Sequence, residues 1–151
     1  MDININGVDL RVWRNGDIFR YMKKYKVWRE LPNTANCSGY NRLQFGGRGK
    51  KFFRHRIVAY CYLGLELYDT EKVIDHIDRN TINNDVENLR VVSQQQNTFN
   101  RNAKGYSWKP KLKKYQAMIM YNNKHYCLGC YDTEEEAHNA YLEGKKQFHS
   151  I

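Results

Sequence analysis

No apolar run in the sequence approaches the roughly 18 residues needed to cross a bilayer, so no membrane span is expected. The first residues, Met1-Asp2-Ile3-Asn4-Ile5-Asn6, lack the basic flank and long apolar stretch of a secretory leader. Work in a cytoplasm is therefore expected. Cysteine is sparse, with four residues (Cys37, Cys61, Cys127 and Cys130), and in that compartment they are expected as free thiols. Internal repeats and low-complexity segments are absent. The glycine-rich stretch Gly46-Gly47-Arg48-Gly49 lacks the Gly-Lys-Ser/Thr ending of a phosphate-binding P-loop and reads instead as a basic hairpin tip. The most informative lack is of acid. Between Leu31 and Leu65 there is none, against six bases (Arg42, Arg48, Lys50, Lys51, Arg54 and Arg56). From Asn88 to Tyr131 there is again none, against eight.

What is present suits a folded, polyanion-binding protein. At 151 residues the chain can form one ordinary domain or two or three small modules. Aromatic residues make up 14% of it, too many for a disordered segment. The net charge of +9 and the clustering of bases are the electrostatic footprint of a nucleic-acid binder.

Along the chain, Leu10 to Trp13 and Ile18 to Tyr21 flank an Asn15-Gly16 turn and predict a hairpin. A second pair is expected through Tyr40 to Phe45 and Lys51 to Phe53. Apolar residues at Ile57, Val58, Cys61, Tyr62 and Leu65 predict a helix over 55–65 with one buried face. Val73 to Ile77 reads as a strand, Asp78 to Asn88 as an Asn/Asp-rich loop, and Leu89 to Val92 as a second strand. Ser93 and Gln96 form a capping-box pattern, so a helix should follow over 94–102. After Ala103 come three strand-like segments (104–109, 115–121 and 125–131). Thr133 and Glu136 form a second capping box, before an apolar helical stripe of Ala137, Ala140, Tyr141 and Phe148. Gly144 leaves room there for close packing.

The chemistry gathers at Asp75-His76, Asn88 and Asn97. Hydrolysing a phosphodiester requires an activated water, a base and positive charge on the phosphate. A carboxylate and an amide oxygen suit a hard ion such as Mg²⁺. An imidazole kept off the metal stays mostly neutral near pH 7 and can take the proton. Successive side chains of a regular strand point to opposite faces. Asp75 and His76 therefore serve one phosphate only if the strand is distorted or the phosphate lies across its end.

This set resembles the HNH, or ββα-metal, endonucleases: Asp75-His76, Asn88-Leu89 twelve residues after the His, Asn97 nine further on and Arg101 four beyond that. The resemblance implies His76 as general base and Asp75 and Asn97 as ligands of one Mg²⁺ or Mn²⁺. It implies Asn88 as the residue pinning the loop, and Arg101 as the basic residue that follows the last ligand. Asn97 stands where His is common in the family, as in phage-encoded homing endonucleases, which favours an oxygen-ligated ion. Asn100 and Asp78 are weaker alternative ligands, and Asp78 reads better as a loop-former. Arg54, His55 and Arg56, at the start of the core, are candidate DNA contacts; a structural bond is as good a reading for His55.

Lys104-Gly105-Tyr106-Ser107-Trp108, Tyr115-Gln116-Ala117 and the run Leu128 to Ala137 resemble the AP2 DNA-binding domain. That implies a three-stranded sheet in the major groove with a helix behind it. Lys109, Lys111, Lys113 and Lys114 are then the expected phosphate contacts, with Lys104 also on the DNA side and Trp108, Gln116 and Met118 as candidates to face bases; a core place is as good a reading for Trp108. Cys127 and Cys130 offer half of a zinc site without a second pair, and on a regular strand would face opposite sides, so no zinc is expected.

The expected fold class is α+β: an N-terminal β-rich region (1–53), an HNH nuclease core (54–102) and an AP2-like domain (103–151). The expected function is metal-dependent endonuclease action on double-stranded DNA, leaving 5′-phosphate and 3′-hydroxyl ends. The expected state is a monomer or weak dimer, with no membrane and no small-molecule cofactor. The rival readings are a sequence-specific DNA-binding regulator with a silent core, and a structured-RNA binder or RNA nuclease.

Overall fold

The computed structural model describes residues 1–45 and 51–149, so the basic hairpin tip lies outside the described residues. The fold is mixed α and β, and the chain divides into two compact units, Met1–Asn97 and Thr98–Ile151.

The first unit opens with a four-stranded antiparallel meander of β1 (Asp2–Ile5), β2 (Val8–Val12), β3 (Ile18–Met22) and β4 (Val27–Glu30). Asn6 and Gly7 sit at φ 51° and 80°, as a two-residue hairpin turn whose twist matches the strands demands. Alternation puts Val8, Leu10 and Val12 on one buried face, joined by Ile5 and Ile18. A short pair, β5 (Arg42–Gln44) and β6 (Lys51–Phe53), leads into helix α1 (Arg54–Tyr62). Ile57, Val58, Ala59 and Cys61 of α1 share one core with the meander and with Ile74 and Leu89 of the next hairpin. The N-terminal strands thus pack directly on the segment that carries the chemistry. The helix ends earlier than its apolar spacing predicts, because Gly64 turns the chain at φ 68°; Leu65 is buried from outside the helix.

Strand β7 (Lys72–His76) pairs antiparallel with β8 (Leu89–Ser93), and α2 (Gln94–Phe99) follows at once. The capping box forms: Gln96 N donates to Ser93 Oγ at 3.2 Å, and Ser93 N to Gln96 Oε1 at 2.9 Å. The helix is shorter than the expected 94–102. Asn97, Thr98 and Asn100 are weak helix formers, and Phe99 is its one buried residue.

In the second unit, β9 (Tyr106–Lys109), β10 (Lys114–Tyr121) and β11 (Lys124–Tyr131) form a sheet of order β11-β10-β9. Helix α3 (Glu134–Phe148) packs behind it, bringing Ala137, Tyr141 and Gly144 toward Ala117 and Ile119. A Cβ on Gly144 would fall 2.6 Å from Leu128 Cδ1, so a larger residue there would make the Leu128 side chain shift. Thr133 and Glu136 close the reciprocal capping box. One expectation is corrected here. A bulge shifts the register so that Met118 pairs with Cys127 while Gln116 pairs with Cys130. Residues 116 and 118 share a face, so both thiols stand on the same exposed face rather than on opposite ones.

Candidate active site

The β7–β8 hairpin presents its two central groups differently. Asp75 lies opposite Arg90, whose Nε and Nη2 approach Asp75 Oδ2 at 2.8 and 2.7 Å. His76, the last residue of β7, turns to the other face. Its Nε2 lies 3.3 Å from Asn84 Oδ1, and its ring meets those of His55 and Tyr40. Both are buried, at 6% and 4% exposure. Strand alternation therefore operates as elementary geometry requires, and the imidazole reaches its surroundings from the strand's end.

Burial depresses the affinity of His76 for a proton more than the Asn84 bond and the charges of Asp78 and Asp75 raise it, so the ring is held below the ordinary histidine range. His55 is pushed further, to about 3, by burial first and then by the charges of His76 and Arg56. Its ring stacks on Phe53 at 5.2 Å and meets His76 edge-on at 5.2 Å, while its Nδ1 is buried without a hydrogen-bond partner. At neutral pH both rings are neutral.

The loop from Ile77 to Asn88 is organised by its own side chains. Asn88 Nδ2 donates to Asp78 Oδ1 and to the carbonyl of Asn83, both at 2.9 Å, and Asn88 Oδ1 accepts from Asp78 N at 3.0 Å. Asp78 also accepts from Asn83 Nδ2 and Asn80 N, which hold its carboxyl below the usual range, the Asn83 bond contributing most. Asn97 lies half-buried one turn into α2. Arg101 is exposed beyond that helix, in the second unit, where its carbonyl accepts from Lys145 Nζ.

Arg54 does not present its charge outward. It is 1% exposed, and its guanidinium donates to Asn41 Oδ1, Gly16 O, Leu31 O and Pro32 O at 2.6–3.0 Å. With every arm bound inside the protein, Arg54 cannot reach a phosphate, and His55 is likewise interior. Arg56 is half-buried, holding the carbonyls of Lys72 and Asp69 ahead of β7. In the second unit Lys104, Lys111, Lys113 and Trp108 are exposed, while Lys109, Lys114 and Gln116 are partly so. Lys114 pairs with Asp132, and Gln116 Nε2 points at Cys127 Sγ.

Two residues of the site escape a reading of the sequence. Arg90 could have been found by counting across the hairpin from His76 and Leu89, since that register places it opposite Asp75. Asn84 is one of four asparagines in its loop, and composition alone does not single it out.

Among the described residues no three His, Cys, Asp or Glu side chains cluster as a metal cage. Asp75 and Asn97 each carry a hard side-chain oxygen, the donor type that suits an oxygen-ligated divalent ion.

Strand, loop, strand and helix follow one another here, with an Asp-His pair ending the first strand and an Asn closing the loop, and residues 52–99 match the family described as HNH endonuclease. The chain carries an HNH endonuclease domain and is by class a nuclease. A solved structure, "DNA binding and cleavage by the HNH homing endonuclease I-HmuI", is similar over 83% of this chain and 77% of that one, at 27% identity and a TM-score of 0.53. No curated protein matches the chain.

Proposed function

We propose that the protein cuts double-stranded DNA by metal-dependent hydrolysis, with His76 as general base, leaving 5′-phosphate and 3′-hydroxyl ends. The observation that carries this reading is the placing of His76: a buried imidazole at the end of β7, its Nε2 on Asn84 Oδ1, next in sequence to a carboxylate fixed by Arg90. The similar solved structure, a homing endonuclease described as binding and cleaving DNA, supports DNA as the substrate.

In this reading Asp75 and Asn97 hold one Mg²⁺ or Mn²⁺, which when bound supplies positive charge to the phosphate and the leaving oxygen. Arg90 fixes the Asp75 carboxylate through Oδ2. His76 takes a proton from the attacking water, which its neutral state permits at cellular pH. Asn88 and Asp78 keep the intervening loop closed, so His76 and β8 hold their register. Arg101 stands as the basic residue following the last ligand.

The segment 103–151 is proposed as an AP2-like DNA-binding domain, with 54–102 as the nuclease core and 1–53 as the β-rich region packed on it. Lys109 and Lys114 are direct cross-strand partners, and Lys111 and Lys113 lie in the turn between them. Like charges set opposite one another cost stability, so four lysines around one hairpin turn suit a polyanion. Arg54 and His55 are left out of this surface because they are buried.

The test is supercoiled plasmid incubated with the protein and Mg²⁺ or EDTA. Conversion to open circle or linear form with Mg²⁺ alone, with nicks that ligase reseals, is expected. Ligase requires a 5′-phosphate beside a 3′-hydroxyl, so nicks it cannot reseal would contradict the proposed ends. Binding with no cutting under any divalent ion would contradict the enzyme reading.

A further inference from the structure

We infer that Asn84 is a positioning residue for His76, fixing which ring nitrogen carries the proton, and that the N-terminal meander holds it in place. The inference rests on the reading of His76 as general base. Asn84 is 2% exposed. Its Nδ2 donates to the backbone carbonyl of Ile82 at 3.0 Å and to Asn33 Oδ1 at 3.3 Å. Asn33 Nδ2 in turn donates to the same Ile82 carbonyl at 2.8 Å, which sets the orientation of Asn33 as well.

A backbone carbonyl cannot reverse its role. Turning the Asn84 amide over would set Oδ1 against Ile82 O, acceptor against acceptor, in a buried place where an unmade bond is costly. Asn84 therefore keeps Oδ1 toward His76, and an oxygen there can only accept. The proton of the neutral imidazole sits on Nε2, and the lone pair that takes a proton from water is on Nδ1.

The hold reaches back to the β2–β3 turn. A Cβ on Gly16, at φ 88°, would lie 2.7 Å from Asn84 O and 2.8 Å from Asn84 Cβ. Only glycine permits both the backbone conformation and the contact. Gly16 O is held by Arg54 Nη1, and Val86 N donates to Arg14 O, so the asparagine is gripped from both sides of its loop. The β-rich N-terminal region thus aims the base.

The test uses the full chain labelled with ¹⁵N-histidine, without added metal, near pH 7.5. Long-range ¹H–¹⁵N correlation is expected to show His76 with a protonated Nε2 and a bare Nδ1. In Asn84→Ala the two nitrogen shifts should move toward each other as the tautomers mix. Asn84→Ala should also lose roughly 10- to 100-fold in cleavage rate at saturating DNA with KM nearly unchanged, part of the ~10²–10⁴-fold a general base supplies. A wild-type spectrum with the proton on Nδ1, or spectra and rates indifferent to Asn84→Ala, would overturn the inference. The wild-type spectrum decides the tautomer even if Asn84→Ala does not fold. A wild-type chain that cuts nothing overturns the nuclease reading, while the spectra still decide the hold of Asn84 on the ring.

Discussion

Single residues carry more of this site than their neighbours suggest. His55 takes no proton from anything: it is interior, neutral and wedged between Phe53, Tyr40 and His76. Its folded-state value of about 3 lies below the ~6.5 of an unfolded chain, so between those pH values the unfolded state binds a proton the folded one refuses. Stability from this source is complete above about pH 6.5 and is lost as pH falls toward 3, at up to ~1.4 kcal/mol per pH unit. Urea unfolding across that range should show a steeper pH dependence for the wild type than for His55→Leu; equal slopes would mean His55 is solvated. Arg54 makes a sharper case. Its guanidinium joins Gly16, Leu31, Pro32 and Asn41, and burial opposes its charge while Asp17 and Glu30 favour it. Arg54→Met should cost about 3 kcal/mol or more, because it strands buried acceptors. A loss under ~1 kcal/mol in denaturant titration would show that water replaces the side chain.

At the level of elements, the loop between β7 and β8 is stable because Asn88 ties both of its ends. Asn88→Ala removes the bonds to Asp78 N, Asp78 Oδ1 and Asn83 O. It should destabilise the protein by about 1–3 kcal/mol and speed amide exchange across 78–88 more than in α3. Uniform exchange would deny the loop its separate anchor. Much of this region is legible in the sequence. The strand-loop-strand-helix order, both capping boxes and the Asn15-Gly16 hairpin follow from local chemistry, since caps and turns use neighbouring residues. What is not legible depends on distant partners. β1 and β4 are short, and their pairing is fixed by the meander rather than by a strong apolar run. The arginine that follows β6 reads as a phosphate contact because charge is visible in a sequence and burial is not. The bulge at Ala117/Met118 likewise turns the two thiols to one face, against simple alternation.

For the whole molecule, the net charge of +9 and the two acid-free stretches imply DNA binding driven largely by phosphate contacts. Removing one such lysine–phosphate pair should change the slope of log affinity against log salt by about 0.9. Replacing Lys109, Lys111, Lys113 and Lys114 together with Ala should flatten that slope by roughly 3–4 and weaken binding far more than cleavage at saturating DNA. An unchanged slope would remove that hairpin from the DNA surface. The shared core of meander, α1 and β7–β8 means the β7–β8 hairpin is held by the N-terminal strands as well as by its own fold. The most direct single measurement compares wild type with His76→Ala for cutting and binding of the same DNA in Mg²⁺. His76→Ala should lose cutting by ~10²-fold or more and keep its Kd within about two-fold, as a base that touches only water would. Parallel loss of both, or cutting at the wild-type rate, would contradict His76 as the base of this nuclease.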